Sequence, residues 1–129
     1  MIDKCPFDYA VVRLVPRVER EEFINVGVIV SCPAHRFLQV KYELNENRTA
    51  AFAPRLDTDQ VYEYLKAIEK MCAGGTGAGT IGTLPARQRF YWLTATRSTI
   101  IQCSPVHSGL CDEPMTALEN LFKLSVPID

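Results

Sequence analysis

The stretch from Val11 to Val30, VVRLVPRVEREEFINVGVIV, constrains the fold more than any other part of the chain. Two runs rich in β-branched residues flank a charged link from Val18 to Glu22. β-Branched side chains are stiff at χ1 and suit a pleated, half-buried surface. So short a link joins antiparallel neighbours, because a parallel pair needs a crossover of a dozen residues or more. The first strand is read over 8–17, with Ala10, Val12 and Leu14 on its core face, Arg13 and Arg17 opposite, and Pro16 near its end. The second is read over 23–32. Its even positions Ile24, Val26, Val28, Val30 and Cys32 form an unbroken apolar face, against Phe23, Asn25, Gly27 and Ile29 on the other. A third strand, Phe37 to Glu43, follows the turn at Pro33-Ala34-His35.

Helical patterns come next. Residues 44–53 read as a short helix ended before Pro54. From Asp57 to Cys72 the pattern is clearer: Asp57 caps, Gln60 completes a capping-box spacing, and Leu56 staples against Val61. Val61, Leu65, Ile68 and Cys72 form the apolar stripe. Residues 73–83 hold five of the seven glycines and read as a flexible loop. A helix over 85–93, a strand over 99–103 and an irregular loop over 104–112 follow. Asp112 and Pro114 open a last helix through Leu124. This order predicts one α+β domain over 1–129: an antiparallel sheet of three to five strands, covered on one face by helices. The expected core is Val12, Leu14, Val26, Val28, Val30, Leu65, Ile68, Phe90 and Leu118.

Charge and composition set limits on function. A net charge of −1 argues against general nucleic-acid binding, which usually shows a basic stripe. The sequence holds no apolar run long enough for a membrane helix, and MIDKCPFDY lacks the apolar core of a secretion signal. The five cysteines show no CxxC spacing, which fits reduced thiols in a cytoplasm. No cofactor is expected.

Few motifs carry chemistry. Gly77 to Gly82 matches GxGxxG, but a helix rather than a strand precedes it, so a connector is the better reading. Cys103, His107 and Cys111 are zinc-ligand types, yet no second tight ligand pair completes a site, and no metal is predicted. His107, in SPVHSG, reads either as a loop base or phosphate ligand, or as a turn histidine bonded to backbone carbonyls. Arg13, Arg17, Arg20, Glu22 and Asn25 alternate along the first strand pair, with Gly27 leaving their face open. They read either as an anion or partner site, or as a solvated face of weak Arg–Glu pairs.

The motifs YAVVR (9–13), VPR (15–17) and EFINVGV (22–28), with Arg97-Ser98-Thr99 and SPVHSGL (104–110), resemble the bacterial domain-of-unknown-function family 3037. The resemblance spans nearly the whole chain. It places signature positions at Arg13, Pro16, Arg17, Glu22, Asn25, Gly27, Arg97, Ser104, His107 and Gly109. It leaves Cys103 and Cys111 outside the pattern, and it implies no reaction. It does imply a small bacterial neighbour of kinase-like proteins of the persistence-toxin type, hence a partner role. The predicted function is a non-catalytic binding or regulatory protein with a protein partner or a second copy of itself. The binding set is Arg13, Arg17, Glu22, Asn25, Arg97, Ser104 and His107. The alternative is an enzyme on a phosphate-bearing substrate, with Arg13, Arg17 and Arg97 on the anion, His107 moving a proton and Ser104 or Asn25 orienting substrate. His107 is expected to group with Arg17 and Asn25, and Arg97 to serve a separate structural role.

Overall fold

A computed structural model describes residues 4–126. The strands are β1 (Cys5–Leu14), β2 (Ile24–Cys32), β3 (Phe37–Tyr42), β4 (Ile101–Cys103) and β5 (His107–Cys111). The helices are α1 (Glu46–Phe52), α2 (Thr58–Ala73), α3 (Gly79–Gly82), α4 (Ala86–Thr94) and α5 (Pro114–Ser125). All strand pairs are antiparallel, in the order β3-β2-β1, with β4 and β5 sharing the far side of β1. The chain is therefore an α+β protein built on an antiparallel sheet, as its element order predicts. The helical cover lies on both faces rather than one. Val61 and Leu65 of α2 and Phe90 of α4 join Val12, Leu14 and Ile29 in one core. Leu118 and Phe122 of α5 join Phe7, Val28 and Val30 in a second core, on the opposite face.

A β-bulge in β2 makes the two cores possible. Val12 pairs with Gly27 but Arg13 pairs with Asn25, so Val26 is the extra residue. An extra residue shifts the period-2 alternation and reverses which face each side chain meets. Ile24 and Val26 consequently pack with α2 and α4, whereas Val28, Val30 and Cys32 pack with α5. The expected unbroken face of β2 is thus divided. Gly27 does not leave a face open either. A Cβ there would lie 2.7 Å from the Lys41 carbonyl oxygen, so the glycine admits the close approach of β3.

The edge opposite β3 also differs from the sequence reading. Residues 107–111, expected in a loop, form β5, because β1 begins at Cys5 and offers Cys5 to Tyr9 as partners. Ser104 joins β4 to β5: its backbone N–H donates to the Val11 carbonyl, and its Oγ accepts from the Val11 N–H, both at 2.8 Å. The α2 cap is as predicted, with the Gln60 N–H donating to Asp57 Oδ1 at 3.2 Å. The glycine-rich stretch holds a short 3-10 turn and the four-residue α3, joined by Gly75 N–H donating to the Gly82 carbonyl. Every predicted core residue is buried except Ile68, which is partly buried against the α2/α4 core.

Candidate binding groove

Helix α2 lies over β3, so it does not fully cover β4 on the same face of the sheet. Ile101 and Cys103 of β4 stay half-buried. The gap between them, α2 and the end of α4 is a groove of about 480 Å³. Its floor and walls are chiefly apolar: Ile68 and Met71 from α2, Leu93 from α4, and Ile101 and Cys103 from β4. Tyr64 and Trp92 stand at its rim, 43% and 39% exposed. A second cleft of about 580 Å³ adjoins it, and both are lined by Gln60 and Ile100. The cleft carries Arg17, Arg20 and Arg55, with Glu22 and Asp57.

Trp92 is fixed by Arg97. The guanidinium lies 4.2 Å from the indole centroid and donates to the carbonyls of Trp92 and Leu93, the latter at 3.1 Å. A cation bonded to the last carbonyls of a helix satisfies orphan acceptors and complements the helix dipole. Burial pushes the Cys103 thiol in the groove floor up to about 11, so it is neutral near pH 7.

The seven residues nominated from sequence do not form one cluster. Arg17 and Glu22 line the cleft and Arg97 the groove. Arg13 stacks on Phe23, 4.1 Å from the ring centroid, and lies opposite Asn25 and Gln102 in the sheet. Asn25 donates through Nδ2 to the Ser125 carbonyl at 3.0 Å, tying β2 to the end of α5. Ser104 is buried in the β4–β5 junction. His107 is exposed on β5, opposite Tyr9, with the two rings 5.3 Å apart. Arg13 lies four positions beyond Tyr9 on β1, a rise of about 13 Å. His107 therefore groups with Tyr9, not with Arg17 and Asn25. Cys103, His107 and Cys111 are likewise spread along one edge, opposite Val12, Tyr9 and Cys5.

A model of the DUF3037 family, described as a protein of unknown function, matches residues 9–126. The chain belongs to the DUF3037 family. No curated protein and no solved structure matches it. In this DUF3037 member, three of the residues nominated from sequence, Arg17, Glu22 and Arg97, lie along the groove and cleft.

The sequence reading missed the aromatic rim. Phe90, an expected core residue, sets the inward face of α4 and leaves Tyr91 and Trp92 outward. Two adjacent outward aromatics on a short helix were the available signal.

A polar cluster on β1 was also missed. Arg87 of α4 pairs with Asp8 and donates to Ser31 Oγ at 3.0 Å, while Ser108 Oγ donates to Asp8 at 2.5 Å. Burial alone would raise the Asp8 carboxyl. The bonds from Ser108 and Arg87 and the guanidinium charge outweigh it and hold Asp8 below the usual carboxylate range. The cluster fastens α4 to the sheet.

Proposed function

We propose that this protein is a non-catalytic binding or regulatory module that takes up an extended segment of another protein in the groove between α2, α4 and β4. One observation carries the reading: a chiefly apolar groove of about 480 Å³ opens at a sheet edge with Tyr64 and Trp92 exposed beside it. Ligand sites are typically concave and mostly apolar, with a few polar groups that fix orientation. The edge favours a peptide. Ile100 and Ser104 bond backbone groups of β1, so alternation turns the backbone groups of Ile101 and Cys103 outward. An extended segment laid there adds main-chain hydrogen bonds to side-chain burial.

The phosphate-enzyme alternative has less support. Asn25 and Ser104 are engaged in holding α5 and β1, and His107 lies about four residues of strand away from Arg13. A kinase-like partner of the persistence-toxin type, which the resemblance implies, is the first source of segments to try.

The test is selection from a displayed library of random peptides, supplemented with segments of that partner class. Trp92 is the sole tryptophan, so its emission reports whether the groove fills. Peptides retained by the wild type should shift that emission saturably. They should fail to bind Ala67→Arg, which fills the groove from an exposed position of α2. Peptides held equally by both proteins, or no peptides at all, would overturn the proposal.

A further inference from the structure

We infer that the segment bound in the groove is acidic at one end, with an Asp or Glu side chain seated on Arg17, Arg20 and Arg55. The inference rests on the proposed binding function and specifies the chemistry of the partner. The cleft adjoins the groove, since Gln60 and Ile100 line both. Three guanidinium groups line the cleft against two carboxylates.

Those carboxylates do not saturate the arginines. The side chain of Asp57 accepts the Gln60 N–H as the cap of α2. Arg20 meets Glu22 only at 3.7 Å, and Arg17 meets Glu19 only at 3.9 Å, with all four side chains 61–72% exposed. Exposed pairs at such distances are worth little and exchange partners readily. Arg55 makes no ion pair among the described residues. A carboxylate entering the cleft can therefore be met by planar donor forks whose existing bonds are loose.

Helix α2 sets the spacing. Asp57 marks the cleft and Tyr64 the apolar groove, seven residues apart on the helix. Seven residues rise about 10 Å, or roughly three residues of an extended strand. The acidic side chain should lie about three positions from the first apolar anchor.

The experiment uses C-terminally amidated peptides from the selection described above, so that only side chains supply carboxylates. Retained peptides should carry Asp or Glu about three positions from an apolar residue. Changing that residue to Gln or Asn, or Arg55→Glu in the protein, should weaken binding on the order of tenfold. An Arg in the peptide should recover affinity for Arg55→Glu. A melting curve matching the wild type checks that this exposed substitution leaves the fold intact. Apolar peptides that bind the groove with no acidic preference and no salt dependence would overturn this inference alone. Failure of every peptide to bind would overturn the binding function beneath it.

Discussion

The Arg97 guanidinium stacks 4.2 Å from the centroid of Trp92 and bonds the carbonyl of the same residue. One cation thus ends α4 and sets the orientation of the groove's rim. Arg97→Ala removes both roles. It should cost about 1 kcal/mol, as loss of partly exposed charge-assisted hydrogen bonds does. It should also shift Trp92 emission to the red. Urea unfolding and emission spectra check this. Unchanged emission would mean that Arg97 does not hold the indole.

Gly27 is where the bulged β2 meets β3. Its missing side chain lets the Lys41 carbonyl oxygen come within 2.7 Å of the Cβ position. Gly27→Ala should destabilise the domain by about 1–3 kcal/mol, the usual cost of forcing extra atoms into a packed site. Chemical denaturation measures it. A variant as stable as the wild type would show that β3 has room to move.

Asp8 makes stability depend on acid. Its folded pKa lies below its unfolded one, because the bonds from Ser108 and Arg87 outweigh burial. Its contribution is therefore complete above the unfolded value of about 4, and is lost as pH falls through the folded value. Asp8→Asn should cost about 1 kcal/mol at pH 7, reduced by the 34% exposure of Arg87. The gap between variant and wild type should close below about pH 4. Melting curves from pH 7 to 3 test the sign. A gap that widens in acid contradicts it.

Three thiols with raised pKa should be slow to react. Burial raises Cys72 to about 12, and Cys103 and Cys111 to about 11. Cys111 also faces Cys32 and Cys5. A thiolate is the nucleophile, so little of the reactive form exists at pH 8. Labelling with an aromatic disulfide followed by mass mapping should mark half-buried Cys5 first, half-buried Cys103 more slowly, and buried Cys32, Cys72 and Cys111 on unfolding. Fast labelling of Cys72 in the folded protein would contradict its burial.

Much of the fold was legible because its signals are local. The stripe of Val61, Leu65 and Cys72 and the cap at Asp57 predict α2 to within a residue at each end. The bulge was not legible. Val28, Ile29 and Val30 are apolar in succession, so the pattern carries no mark of a change of face. Strand β5 was hidden by its composition: HSGLC has no β-branched residue and owes its form to pairing with Cys5–Tyr9. The groove was hidden for another reason. Tyr64, Trp92 and Ile101 come from three elements, and only the offset of α2 toward β3 leaves them facing one gap. Arg17, Glu22 and Arg97 were found by motif, without any sign of which cavity they share.

The central claim is that the gap between α2, α4 and β4 is the binding site. Two-dimensional NMR of the labelled protein, titrated with a peptide retained in the selection, tests it most directly. The account predicts that shifts concentrate at Gln60, Tyr64, Ala67, Trp92, Ile101 and Cys103 and saturate together with Trp92 emission. Shifts centred instead on His107 and Tyr9, or on the outer face of α5, with the groove unmoved, would contradict it.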